Sequence, residues 1–348
     1  MDKQSISGYT LPELTELLKP LPAFRAKQVF KWISRGVTTF NAMTDLSQEL
    51  RQDLGERFLV QETAISETVT DESDGTVKLQ ISLQDGAKIE AVILVDGEGR
   101  KTACISTQVG CPMACAFCKT GSLGFLRNLT SAEITEQMYH CRTMAGEIAN
   151  IVIMGMGEPL LNLDNLRRAM SIWSDPAGLG MSRRRITIST SGIIAGIRDL
   201  ADQGPEVRLA VSLTTADPAL RELLMPVTRA NPLPELKEAL RYFQSKQNKR
   251  ITLEAVLLGG VNTRKEDALA IAGFAKGLDV IINLIPWNPV AGMGIMGKDF
   301  IEPTDKEIDR MVSLLEDRGL TVTRRYRKGR GVSGACGQLG SLEGFKVD

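Results

Sequence analysis

The sequence predicts an α/β protein: an incomplete (β/α)6 barrel, preceded by a small helical accessory domain and a β-meander linker. Three observations predict it. Residues 1 to 60 carry segments with apolar residues three and four apart, residues 61 to 100 change to a period of two, and from residue 101 apolar runs alternate with helical stretches.

In chain order, "TLPELTELLKPL", "FRAKQVFKWISR" and "LSQELRQDLGERF" each have one apolar face and read as helices. "TVKLQISL" and "AKIEAVILV", set among the turn signals "SDGT", "QDGA" and "DGEG", read as strands of a small meander. The runs "TACIS", "NIVIMGM", "RITIST", "RLAVSL", "RITLEAVLL" and "DVIINLIPW" read as parallel strands of a barrel over 101–330. In such a barrel the chemistry sits at the C-terminal ends of the strands, where the unusual residues fall: a cysteine loop, "GMGEP", "STSG", "TTADP" and "PWNP". The tail, 331–348, is glycine-rich with little periodicity, and a mobile loop carrying Cys336 is expected there.

Composition narrows the function classes. No apolar run approaches the roughly 18 residues of a membrane span and the N-terminus has no apolar signal core, so a cytoplasmic protein without membrane contact is expected. Lysine plus arginine (42) balance aspartate plus glutamate (42), which excludes a global field for nucleic acid and leaves that work to local patches. Two patches qualify: Arg324, Arg325, Arg327, Lys328 and Arg330, just before Cys336, and Arg183 to Arg185.

Of six cysteines, Cys111, Cys115 and Cys118 crowd into "GCPMACAFCKTG", which in a reducing compartment points to metal chemistry. Structural zinc closes its tetrahedron with four protein ligands, and an electron-transfer cluster likewise uses four cysteines. Cys104 lies on the strand leading into the loop and should not easily fold back, His140 reads as a helix-surface residue, and Cys141 reads as a core thiol. Three ligands leave one iron of a [4Fe–4S] cluster open, and this spacing after the first barrel strand resembles the radical S-adenosylmethionine superfamily. On that reading Gly157 and Glu158 of "GMGEP" face the methionine moiety, and Ser189, Ser212 with Leu213 and Thr214, and Asn288 face the ribose or adenine.

"QVGCPMACAFC", "GFLRNLT", "VIMGMGEPLLN", "RRRITISTSG", "NLIPWNP" and "ACGQL", in order from about residue 88 to 340, resemble the RlmN/Cfr family of RNA adenosine methyltransferases, and the helical N-terminus resembles that family's RNA-binding accessory domain. The resemblance implies methylation of carbon 2, or in the Cfr branch carbon 8 with ribosomal antibiotic resistance, of an adenine in the peptidyl transferase centre of 23S rRNA. In the RlmN branch, transfer RNA 3′ of the anticodon is a further substrate. It implies that Cys336 takes a methyl group from one S-adenosylmethionine, that a radical from a second activates that methyl, and that Cys104 releases the product through a transient disulfide with Cys336. It implies Glu90 as proton acceptor, with the alternative that Cys104 removes the ring proton, and a reducing partner such as flavodoxin or ferredoxin. Thr214 stands where the family commonly has histidine, and aspartates common just before "ACGQL" are missing here. Free of the resemblance, Glu90 reads as an exposed strand carboxylate and Cys104 as a core residue. The competing classes are another radical enzyme, such as an activase or methylthiotransferase, and a non-catalytic RNA-binding protein with a structural metal.

Overall fold

The computed structural model describes residues 3–325 and 328–340; Arg327 of the basic run and 341–348 of the tail lie outside the described residues. The N-terminal unit starts with β1 (Gln4–Ser5), followed by α1 (Leu11–Leu17), α2 (Ala23–Ser34) and α3 (Gln48–Arg57), and ends in β2 (Phe58–Leu59), which pairs in parallel with β1. Ser47 starts α3 by accepting the Leu50 N–H, one of the donors a helix leaves unpaired at its start. Its small core, including Leu14, Val29, Phe30, Ile33 and Leu54, extends onto Tyr139 and Ile172 of the barrel helices.

Next come β3 (Ala64–Thr70), β4 (Val77–Ser82) and β5 (Lys88–Val95), an antiparallel meander, and then β6 (Lys101–Cys104). β7 (Gln108–Gly110), α4 (Lys119–Ser122) and β8 (Phe125–Asn128) surround the cysteine loop, and α5 (Ser131–Ala145) follows. The alternation continues with β9 (Asn150–Ile153), α6 (Leu163–Ser174), β10 (Ile186–Thr190), α7 (Ile194–Gln203), β11 (Arg208–Ser212), α8 (Pro218–Leu224), α9 (Leu233–Gln247), β12 (Ile251–Leu257), α10 (Lys265–Ala275) and β13 (Val280–Pro286). A short hairpin of β14 (Gly294–Ile295) and β15 (Lys298–Asp299), then α11 (Asp305–Glu316) and β16 (Thr321–Arg324), completes the order.

One 10-stranded sheet runs β16-β13-β12-β11-β10-β9-β6-β5-β4-β3. The six strands read from the sequence form as parallel neighbours, and β16 adds a further, unforeseen parallel strand beside β13 within the segment read as barrel, at the start of the basic run. The meander is continuous with this sheet, because β5 pairs antiparallel with β6. Alternate side chains face in and out: Ile186 and Ile188 of β10 are buried in the main core, while Ser189 looks into the barrel.

Helix α5 corrects the expectation for His140, which is buried rather than on a helix surface. Every residue from Ser131 to Cys141 is buried, because the sheet covers one side of α5 and the N-terminal unit covers the other. Its polar side chains satisfy backbone that would otherwise be stranded. Glu136 accepts from the Ser5 and Ser7 hydroxyls at 2.8 and 2.6 Å and from the Glu62 and Thr63 N–H groups at 3.0 and 2.8 Å, so it ties the N-terminal unit to the barrel. Gln137 exchanges two hydrogen bonds with the backbone of Ser106. Thr63 Oγ1 donates to Glu136 at 2.7 Å and meets His140 Nε2 at 2.8 Å, which assigns the proton of the neutral imidazole to Nε2. Cys141 is a core thiol, as read from the sequence.

Candidate active site at the strand ends

The three-cysteine loop leaves the β7–β8 ribbon and is tied down by backbone bonds: Cys111 N–H to Gly124, Ala116 N–H to Leu224 and Cys118 N–H to Cys115. Trp287 of the "PWNP" loop donates its indole N–H to the Phe117 carbonyl at 3.0 Å, which fixes that loop against the cysteines. All three thiols line one open cleft, together with Gly157, Glu158, Ser189, Ser212, Asn288 and Cys336.

Gly157 takes φ +102°, and a Cβ there would sit 2.6 Å from the Gln108 side chain, so only glycine lets the "GMGEP" turn close over β7. The adjacent Glu158 is buried; one carboxylate oxygen accepts from Leu160 N–H at 3.1 Å and the other from Ser191 N–H and Oγ at 2.7 and 2.8 Å. Burial raises its pKa, against those hydrogen bonds. Ser189 donates to Glu254 at 3.0 Å. Asn288 presents a buried amide oxygen with no partner among the described residues.

Leu213 and Thr214, expected at the cofactor, do not line the cleft. Leu213 belongs to the main core and Thr214 is buried at φ +60° with an unpartnered hydroxyl; both donate backbone N–H to the Glu254 carbonyl. They shape the β11 turn instead of its surface. Glu90, read without the resemblance as exposed, is 4% exposed. Its carboxylate pairs with Lys78 at 3.3 Å and accepts the Gly340 N–H at 2.6 Å, and it lines neither cleft described here.

Cys336 stands between two spaces. Beyond it lies a second cleft of about 590 Å³, bordered by Cys104, Arg325, Lys328 and Cys336, and sharing Met154, Ile285, Pro286 and Asn288 with the first. Both cysteines are free thiols. Burial pushes Cys104 up to about 12, with Cys336 adding to the effect and Arg325 opposing it. The segment around Cys336, expected as a mobile loop, is docked: Lys119 N–H donates to Gly337, Thr120 Oγ1 to Leu339, and Asn288 to Cys336 itself.

The two basic patches separate. Arg325 and Lys328 border the second cleft, whereas Arg183 to Arg185 precede β10 and lie exposed at the N-terminal end of its strand, away from the cleft mouth.

The donor set accommodates a cluster. Burial pushes Cys111 up to about 12, Cys115 well above its usual 9.0 and Cys118 upward, with neighbouring thiols adding to the rise at Cys111 and Cys115, so holding all three as thiolates calls for bound positive charge. The three thiols border one shared space, the arrangement that a group held by all three requires. The carboxylates of Glu158 and Glu254, and the free Asn288 oxygen, complement a cationic ligand with hydrogen-bond donors.

Comparison with known proteins bears on the same features. Residues 105–272 match the model of the radical SAM superfamily, and residues 5–60 match that of the ribosomal RNA large subunit methyltransferase N-terminal domain. A Treponema pallidum protein named "Probable dual-specificity RNA methyltransferase RlmN" is 50% identical over 98% of both chains. The chain belongs to the RlmN family. A Pelobacter propionicus RlmN is 42% identical over 97% of this chain and 96% of its own. The crystal structure of a radical SAM methyltransferase from Sphaerobacter thermophilus superposes with a TM-score of 0.91 at 37% identity, covering 97% of this chain and 99% of that one. Radical SAM enzymes use a [4Fe–4S] cluster and S-adenosylmethionine.

Sequence reasoning missed two residues of this RlmN-family site and misplaced a third. Glu254 lies 5% exposed on β12, bonded to Ser189 and Asn283; an acid inside the apolar run "RITLEAVLL" was the available signal. Arg221 is fully buried and donates to the carbonyls of Ser191, Ser212 and Leu213, joining the β10 and β11 turns. Arg325, read as part of a patch for nucleic acid, reaches inward to Met154 Sδ at 3.8 Å.

Proposed function

We propose that this chain methylates carbon 2 of an adenine in 23S ribosomal RNA, at the peptidyl transferase centre, and of the adenosine 3′ of the anticodon in transfer RNA, through an S-methylated Cys336. The observation that carries it is Cys336 on the shared wall of two clefts, one bordered by the three-cysteine loop and the other by Cys104. Cys111, Cys115 and Cys118 would hold a [4Fe–4S] cluster, which when bound would supply the electron for reductive cleavage of S-adenosylmethionine to a 5′-deoxyadenosyl radical. Cys336 would take a methyl group from one S-adenosylmethionine by displacement, with S-adenosylhomocysteine leaving. The radical from a second S-adenosylmethionine would remove a hydrogen from that S-methyl group, and the carbon would add to the adenine, the adduct losing one electron back to the cluster and its ring proton to a base, so that the base is held covalently on Cys336. Cys104, reached from the same cleft, attacks the Cys336 sulfur to form a disulfide and free the product. Glu90 accepts the ring proton in this scheme, which requires it to give up the Gly340 N–H first.

Residues 1–60 act as the RNA-binding accessory unit, and Arg325 and Lys328 place cations beside the reacting base. A flavodoxin or ferredoxin supplies electrons. Among the described residues no helix is long and apolar enough to cross a membrane, and a cytoplasmic site of action fits a ribosomal substrate.

The test is anaerobic purification, assay of iron and sulfide, and incubation with reductant, S-adenosylmethionine and an rRNA fragment or transfer RNA, followed by nucleoside mass spectrometry. 2-Methyladenosine is expected. 8-Methyladenosine reassigns the chain to the carbon-8 chemistry, and zinc without iron, or unmodified adenosine, overturns the proposal.

A further inference from the structure

The segment bearing Cys336 is gripped at its start by two carboxylates from a distant turn. Gly329 N–H donates to Asp74 Oδ2 at 2.7 Å and Gly331 N–H donates to Asp71 Oδ2 at 3.0 Å. Both aspartates belong to the β3–β4 turn, and each divides its two oxygens in the same way. Asp71 Oδ1 accepts from Ser73 N–H and Oγ at 3.0 and 2.5 Å, and Asp74 Oδ1 accepts from Thr76 N–H at 2.9 Å. One oxygen of each therefore fixes its own turn, and the other points outward to the loop. The Ser73 hydroxyl and amide hold Asp71 below the usual carboxylate range; Asp74 is also lowered, since Thr76 and Gly329 outweigh its burial. Both are anions at neutral pH, and hydrogen bonds to anions are the stronger kind.

The fit is steric as well. A Cβ on Gly331 would lie 2.8 Å from Asp71 Oδ2, and one on Gly329, at φ +71°, would lie 2.8 Å from Thr76 Cγ2. Turn and loop therefore touch backbone to side chain with no room for a larger residue. Cys336 lies five residues past Gly331, with its carbonyl held by Asn288 and the far end of the loop held at Gly340 by Glu90.

We propose that Asp71 and Asp74 are positioning residues for Cys336: by gripping the backbone of Gly331 and Gly329 they set the docked place of the thiol between the two clefts. The role in methyl transfer rests on the proposed function of Cys336; the docking does not.

The test uses the full-length, cluster-loaded protein and an Asp71→Asn/Asp74→Asn double variant, with Asp96→Asn as control. Asp96 holds only its own turn and Arg100, in the same meander. Two readouts need no RNA: the rate at which N-ethylmaleimide alkylates Cys336, located by peptide mass spectrometry, and the rate of Cys336 methylation by S-adenosylmethionine. The double variant is expected to alkylate about tenfold faster and to accept methyl about tenfold more slowly, at unchanged iron content, while Asp96→Asn matches the parent. Gly331→Ala attacks the grip from the loop side and should reproduce the effect if the double variant is poorly folded. Parental alkylation rates in both the double variant and Gly331→Ala overturn the proposal. A parent protein that never methylates Cys336 overturns the proposed function instead and leaves the alkylation test standing.

Discussion

Asn288 donates its side-chain amide to the carbonyl of Cys336 at 3.1 Å, while its own buried amide oxygen faces the cleft without a partner among the described residues. One residue thus serves the loop with its nitrogen and offers its oxygen to a ligand. Asn288→Ala should weaken S-adenosylmethionine binding and lower kcat/KM by about tenfold, the size of one lost hydrogen bond. Asn288→Asp keeps an acceptor and loses the donor, so it should retain more of the binding and still loosen Cys336. Equilibrium dialysis of S-adenosylmethionine and thiol alkylation read the two effects separately; equal losses in both variants would contradict the division.

Cys104 is expected to act after carbon–carbon bond formation. Cys104→Ala should accumulate a covalent protein–RNA adduct through Cys336, visible as a denaturation-resistant shift on gels and as a nucleotide mass on the Cys336 peptide. A fully active, adduct-free variant would remove Cys104 from the mechanism.

Cys111, Cys115 and Cys118 are expected to be ligands, and Cys141 a packing thiol. Substituting Cys111, Cys115 or Cys118 by alanine should abolish iron binding and cleavage of S-adenosylmethionine. Cys141→Ala should keep both and cost about 1 kcal/mol of stability by emptying a small core site. Iron analysis and denaturant unfolding check the pair, and loss of iron in Cys141→Ala would contradict it.

His140 gives stability an acid-side dependence. Burial lowers it from its usual 6.5 to about 4, with Thr63 opposing. Between those values the unfolded chain binds a proton that the folded chain refuses, so stability falls as pH drops through that window, by about 3 kcal/mol at most. Glu136, raised by burial from 4.5 to about 7, works in the opposite sense: its proton favours the folded chain, and its contribution falls as pH rises across its own window. Comparing the parent with His140→Gln by unfolding at pH 7 and pH 5 isolates the imidazole. The variant should lose less stability on acidification, and identical losses would assign the dependence elsewhere.

What the sequence made legible was local and periodic. Cys111, Cys115 and Cys118 share one loop, and the six strand runs alternate as Ile186, Ile188 and Ser189 do, so both could be read without knowing the packing. His140 could not, because its burial comes from the N-terminal unit closing over α5, a contact between segments some 130 residues apart such as Ser5 and Glu136. Charge was read in the right amount but not in the right place: Arg183 to Arg185 enter β10 at the end away from the cleft, while Arg325 of the other run turns inward. The docking of the Cys336 loop was hidden because backbone N–H groups of Gly329, Gly331 and Gly340 carry it, and every residue but proline has one.

Arg325 follows the last strand at one margin of the sheet, yet Lys328 donates to the Val95 carbonyl of β5 and Gly329 binds the β3–β4 turn, both on the meander side at the other end of the strand order. Four residue steps span at most roughly 14 Å, so the two margins of the open barrel must come that close where the chain crosses. On the far side of that crossing, Lys328 and Gly329 begin the stretch that leads to Cys336. An excursion of the Cys336 thiol that carried Gly329 along would have to break the bond to Asp74 that holds this stretch to the meander.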